Sequence, residues 1–167
     1  MPADPLNLVW LQSGGCGGCT LSLLNAEQPA LFDRLADAGI RLLWHPSLSV
    51  ETGAEALDIL RACAEGRERL DILCVEGAAM TGPAGTGRFH MLAGTGRPMR
   101  DWIVDLARRA RHVLAIGSCA AWGGISASGP NPGGALGLQY DGDLPGGLLG
   151  QEFRAGAGLP VVNVAGC

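Results

Sequence analysis

Short apolar runs alternate with helix-like stretches along this chain, and that alternation leaves few folds open to it. Leu8–Leu11, Ile40–Trp44, Leu70–Val75, Val113–Ile116 and Pro160–Val164 read as strands. Their near-continuous apolar character suits strands covered on both faces. Thr20–Ala38 reads as helical, with Pro29 breaking or restarting it and Gly39 as its stop. Thr52-Gly-Ala-Glu55 is a capping-box pattern that opens a helix with Leu57, Leu60 and Cys63 on one face and Gly66 at its end. Pro98–Ala110 gives a helix with Trp102, Ile103 and Leu106 as its apolar stripe.

Strands that alternate with helices indicate an α/β protein with a doubly wound parallel sheet. About five strands with helices on both sides need a reversal of winding, so a flavodoxin-like order is expected. With 167 residues, a single domain spanning 1–167 is expected. The net charge is -4 and all 12 basic residues are arginine, a balance that argues against a nucleic-acid face. No apolar run approaches the roughly 18 residues of a membrane span. The amino terminus, MPADPLNLVWLQ, carries no basic leader, twin arginine or cleavage site. A cytoplasmic protein with reduced cysteines is therefore expected, which turns attention from disulfides to metal binding.

Two glycine-rich segments break the pattern. Gly77–Arg97 holds GTGRF and, leading out of it, GTGRP; Ile125–Gly150 holds no basic residue. Loops of this length inside a domain usually serve function. Their apolar residues Met80, Phe89, Met91, Leu136, Leu138, Leu148 and Leu149 would be left in water unless a partner covered them.

Four of the six cysteines fall just past strand ends: Cys16 and Cys19 after the first, Cys119 after the fourth and Cys167 after the fifth. Open parallel sheets bind ligands in the crevice at those ends. Four thiolates at one place suit zinc or an iron–sulfur cluster. Only one Cys-x-x-Cys pair exists, whereas structural zinc usually takes two, and each candidate ligand neighbours glycine or serine. Small residues let backbone N–H groups approach sulfur, which favours a 4Fe–4S cluster. Cys63 and Cys74 read as core residues. Glu76 ends the third strand and points toward the same crevice, with a solvated loop carboxylate as the alternative. SGGCGGCT sits where a nucleotide loop would, but it lacks the third glycine of GxGxxG and the chain has no lysine for a P-loop. His45 reads as packed and hydrogen-bonded, His112 as a surface residue, and Arg108, Arg109 and Arg111 as a solvated helix end. The serines near the cysteines have no evident histidine partner, which argues against a hydrolase.

At these residues the sequence resembles a known family. WLQSGGCGGCT, CVEG, GTGRFHMLAGTGRP, GSCAAWGGI, Asn131-Pro132 and the terminal VAGC are similar to the small subunit of NiFe hydrogenases, in order and over essentially the whole chain. The resemblance implies a flavodoxin-like domain that binds a proximal 4Fe–4S cluster through Cys16, Cys19, Cys119 and Cys167. It implies a hydrogen:acceptor oxidoreductase, active only with a large subunit that carries the Ni–Fe centre. The chain would relay electrons from that centre to a downstream acceptor or a signalling partner. Glu76 matches an acidic position of the family near the subunit interface. Trp122 is expected either to shield the cluster or to pack in the core, and Arg88 with His90 either to serve the interface or to form a solvated pair. GGCGGCTLSLL and LLWHPSLS look most like the hydrogen-sensing and cytosolic uptake groups. Family members continue past the fourth cysteine into a domain with two further clusters; within 1–167 that domain is absent. Two other readings stand beside this one. A quinone-reductase-like 4Fe–4S subunit would have adjacent cysteines at the first motif, where this chain has Cys-Gly-Gly-Cys; a scaffold without a cluster would bind partners only.

Overall fold

Five parallel strands form the central sheet of the computed structural model, which describes residues 4–164 and 166. They are β1 (Leu6–Gln12), β2 (Ile40–Trp44), β3 (Ile72–Glu76), β4 (His112–Ile116) and β5 (Val162–Val164). Their order across the sheet is β5-β4-β3-β1-β2, and every neighbouring pair is parallel. This is the flavodoxin-like order, with the winding reversing between β1 and β3.

β1 is central and buried from Asn7 to Leu11. Its side chains alternate between two layers, as a strand's period of two dictates. Val9 and Leu11 enter the main core with Leu60 and Cys63 of α3 (Gly53–Glu65) and with Trp102, Ile103 and Leu106 of α4 (Met99–Arg109). Leu8 and Trp10 face the opposite layer with Cys74 and Ile116, packed by Leu23 of α1 (Gly18–Leu24). Cys63 and Cys74 are buried, as their apolar settings suggested.

Several local expectations are revised. The stretch from Thr20 to Ala38 forms two short helices, α1 and α2 (Leu31–Asp37), with the break ahead of Pro29. Thr52 does cap α3, but its side chain makes no capping hydrogen bond, so the capping box does not form. The short helix α5 (Gly117–Trp122) and the 3-10 turn Gly124–Ala127 follow β4.

The glycine-rich segments are not structureless. Ala79–Met80 of the first pairs antiparallel with Ala135–Leu136 of the second, so the two loops brace each other. Leu138 is fully buried, and Leu148 and Leu149 pack against the main core. The second segment thus buries these three leucines itself, while its Ile125 is 89% and its Leu144 71% exposed. In the first, Phe89 is 61% exposed and Met91 39%. Among the described residues no helix is long and apolar enough to cross a membrane.

Candidate metal centre

β1 and β3 leave the sheet side by side, and their exits build the first half of the site. The Ser13 N–H donates to the Glu76 carbonyl at 2.7 Å, and Gly14 and Ala78 exchange backbone bonds at 2.9 Å. The two chains then cross so closely that a Cβ on Gly77 would stand 2.9 Å from the Ser13 carbonyl carbon, while Gly77 itself has φ +89°. Only glycine meets both demands. The turn carries Cys16 into solvent, and α1 begins two residues later with Cys19 and Thr20 in its first turn.

Glu76 holds that turn down. It is 3% exposed, so the solvated alternative fails. One carboxylate oxygen accepts the backbone N–H groups of Cys19 at 3.0 Å and Thr20 at 3.1 Å. The other accepts Trp10 Nε1 at 3.1 Å, Gln12 Nε2 at 3.3 Å and the Thr20 hydroxyl. Burial alone would raise the Glu76 pKa, but the bonds from Thr20, Trp10 and Gln12 to its charged form prevail and hold it below the ordinary carboxylate value. Behind Thr20 lies His45, 3% exposed, with its Nε2 3.2 Å from the Thr20 hydroxyl. The Ser47 N–H donates to His45 Nδ1 at 3.0 Å, which assigns the ring proton to Nε2. Burial lowers the His45 pKa against the opposing pull of Glu76. His45, Thr20 and Glu76 therefore form one hydrogen-bonded line from the interior to the helix that bears Cys19. Glu76, Thr20, Gln12 and Cys16 line a cavity of about 510 Å³.

Cys119 supplies the second half, from the first turn of α5. The chain folds back over it at Gly124, with φ +58°, where a Cβ would stand 2.7 Å from the Cys119 sulfur. Gly166 joins the halves. A Cβ there would lie 3.0 Å from Gly117 Cα, at the start of α5, and 3.1 Å from the Cys19 sulfur. Gly18 stands in the same relation to Cys16: a Cβ would lie 3.1 Å from its sulfur, and the Gly18 N–H donates to that sulfur at 3.4 Å. Each described sulfur of the proposed set thus lies within 3.1 Å of the place a glycine's Cβ would take. Such a cradle of sulfur donors and close backbone fits a sulfur-ligated cluster. Among the described residues no three His, Cys, Asp or Glu side chains stand close enough to hold a single metal ion. Cys167 lies outside the described residues; its neighbour Gly166 is in the site.

The remaining cysteines are chemically quiet. Burial pushes the Cys63 thiol up to about 11 and the Cys74 thiol up to about 12, which keeps both protonated at neutral pH. Trp122 is 41% exposed, so it is not a core tryptophan. His90 lies half-buried against the turn, 3.4 Å from the Ser13 hydroxyl, and burial lowers its pKa. A serine does have a histidine neighbour here, contrary to expectation. However, the Ser13 hydroxyl donates to the Ala78 carbonyl at 2.8 Å, away from any nucleophile role. Arg88 is exposed. Sequence reasoning missed Thr20 and the buried Gln139. Thr20 had a signal, since it adjoins Cys19 at a helix start; Gln139 had none.

Comparison with known proteins agrees with the fold. The family described as NADH ubiquinone oxidoreductase, 20 Kd subunit, matches residues 16–167. The hydrogenase-2 small chain of Escherichia coli (strain K12) is 34% identical over 160 residues, which cover 96% of this chain and 38% of that protein. The periplasmic [NiFe] hydrogenase small subunit 1 of Nitratidesulfovibrio vulgaris is 31% identical over 161 residues, covering 96% of this chain and 45% of that one. Among solved structures, the actinobacterial-type NiFe-hydrogenase from Ralstonia eutropha H16 superposes with a TM-score of 0.80 at 30% identity, over 99% of this chain and 49% of that one. The chain spans less than half the length of these relatives. They bear out the resemblance to hydrogenase small subunits. From Cys16 onward the match to the family is unbroken, and the chain belongs to the family described as NADH ubiquinone oxidoreductase, 20 Kd subunit.

Proposed function

We propose that this chain is the electron-transferring part of a NiFe hydrogenase small subunit, holding a 4Fe–4S cluster through Cys16, Cys19, Cys119 and Cys167. The observation that carries the reading is Gly166, packed against both the Cys19 sulfur and the start of the helix that bears Cys119. It brings the amino-terminal turn, the middle of the chain and the residue before Cys167 to one place. When bound, the cluster supplies a one-electron couple. The protein's share of the work is positional and electrostatic. Glu76 fixes the first turn of α1 and so the place of Cys19. The Gly18 N–H stabilises charge on the Cys16 sulfur. Gly124 leaves room for the chain to close over Cys119.

The partner is a large subunit with the Ni–Fe centre. Cys16, Leu21 (61% exposed) and Phe89 form the face it would cover, since an electron relay needs water excluded on its donor side. Arg88 and Trp122 are exposed as well and are further candidates for that contact. Electrons leave to a downstream acceptor or a signalling partner, in a cytoplasmic complex of the hydrogen-sensing or uptake kind; the motif wording supports this finer reading. A quinone-reductase-like role has the family description in its favour. The Cys-Gly-Gly-Cys spacing and the hydrogenase relatives favour ours.

The test is anaerobic co-purification with the large subunit, followed by iron, sulfide and nickel analysis. Serine at Cys16, Cys19, Cys119 or Cys167 should each lower cluster iron, whereas Cys74→Ala should leave it unchanged. Full iron in the Cys16→Ser and Cys119→Ser proteins refutes the ligand set. Iron without nickel in the purified complex favours the quinone-reductase-like role.

A further inference from the structure

β5 is a weakly anchored strand. Among the described residues it is three residues long, pairs only with β4, and leaves Val162 44% and Val164 39% exposed. Parallel strands are normally joined through a crossover helix that packs on the sheet and fixes the second strand. Between β4 and β5 lie α5, six residues long, a 3-10 turn and the two-residue strands Ala135–Leu136, Tyr140–Asp141 and Leu144–Pro145. α5 packs against β5, and a second tether meets the chain just before that strand.

Gln139 is that tether. It is 7% exposed, and its carboxamide is used in full. Oε1 accepts the Val161 N–H at 2.6 Å, immediately before β5. Nε2 donates toward the carbonyls of Gly150 at 3.1 Å, Gln151 at 3.3 Å and Phe153 at 3.2 Å. The same segment is bound to α5: the Leu138 N–H donates to the Ala120 carbonyl at 2.8 Å, one residue after Cys119. The fit there is tight, for a Cβ on Gly137 would lie 2.1 Å from the Ala121 oxygen. Residues 137–139 therefore brace the helix that carries Cys119 against the strand that leads to Cys167. The brace needs an acceptor and a donor on one planar group, which only a primary amide offers at this length.

We propose that Gln139 is a positioning residue for the cluster: it sets the place of β5, and with it the strand end leading to Cys167, relative to Cys119. This rests on the iron–sulfur reading above. The test uses the anaerobically purified complex with its large subunit. It compares Gln139→Met, which keeps the length but removes both hydrogen-bonding functions, with Gln139→Glu, which keeps an acceptor for the Val161 N–H but loses the donor to the Gly150, Gln151 and Phe153 carbonyls. Ile103→Val, a trim of the α4 core away from the brace, controls for general destabilisation.

Iron release to a chelator should be about tenfold faster in both brace variants, the size usual for residues that orient a metal ligand. The electron paramagnetic resonance line shape and reduction potential of the cluster should move with it. Ile103→Val should keep the wild-type rate, line shape and potential. Brace variants that fold and keep the wild-type rate and potential overturn the proposal. So does the failure of both to fold, because Gln139 would then be a general fold determinant. A wild-type complex without iron overturns the iron–sulfur reading instead, which keeps the two failures apart.

Discussion

Replacing Glu76 with glutamine tests the hydrogen-bonded line behind Cys19 without changing its shape. The carboxylate accepts on both oxygens: two backbone N–H groups on one, and the donors of Trp10, Gln12 and Thr20 on the other. A carboxamide has one acceptor side. If its NH2 turns toward α1, the buried Thr20 N–H faces a donor. If it turns the other way, the Trp10 indole does, and an indole N–H cannot reverse its role. One orphaned buried donor, together with the loss of charge-assisted bonds, costs about 2–4 kcal/mol. In a domain of this length that corresponds to a fall of roughly 5–15 °C in Tm. Circular dichroism during thermal unfolding at pH 7 measures it.

The pH dependence supplies an independent check. Glu76 has a folded pKa below its ordinary value, so the native fold binds the proton less readily than the unfolded chain. Its stabilising effect is complete above the ordinary carboxylate pKa and is lost as pH falls through the depressed one. Wild type and Glu76→Gln should therefore converge on acidification. A loss below about 0.5 kcal/mol at pH 7, the size of an ordinary surface substitution, would refute the reasoning. A gap that stays constant with pH would do the same.

Three further outcomes follow from the structure. His45 and His90 both have pKa values lowered by burial, so the unfolded chain takes up protons near pH 6.5 before the folded one does. Urea unfolding midpoints should be steady above that pH and fall below it, and His90→Gln should flatten part of the fall. Gly124→Ala places a Cβ 2.7 Å from the Cys119 sulfur at φ +58° and should cost about 1–3 kcal/mol, with lower cluster iron on metal analysis. Leu138→Ala should cost about 2–5 kcal/mol in chemical denaturation, as for a fully buried leucine, while Phe89→Ala should change stability little and weaken large-subunit pulldown.

The sheet was legible because its strands are short, apolar and bounded by glycine and helical pattern; β1 to β4 lie within two residues of where the sequence puts them. α5 was not legible, because six residues flanked by glycines have no room to display a helical period. The positions of Cys16, Cys19, Cys119 and Glu76 follow from the rule for strand ends, which needs topology but no side-chain detail. The partners of Glu76 do not follow from it, since Trp10 and Gln12 reach it from β1 and Cys19 and Thr20 from α1. The second glycine-rich segment misled for a related reason. Leu138, Leu148 and Leu149 have no periodic neighbours to mark them as core, yet the chain folds them inward. Gln139, a lone amide in a glycine-rich run, gave no warning of a brace.

The meeting of Gly166 with Cys19 also sets a timetable for biogenesis. The two residues are 147 positions apart in sequence (166 − 19), and closing so long a span is among the slowest steps of folding. While the ribosome is still synthesising the middle of the chain, the amino-terminal turn stands ready with Cys16 and Cys19 but without the wall that completes it. On the iron–sulfur reading, the pocket around Cys19 is therefore complete only once residue 166 has been made and has folded back onto it.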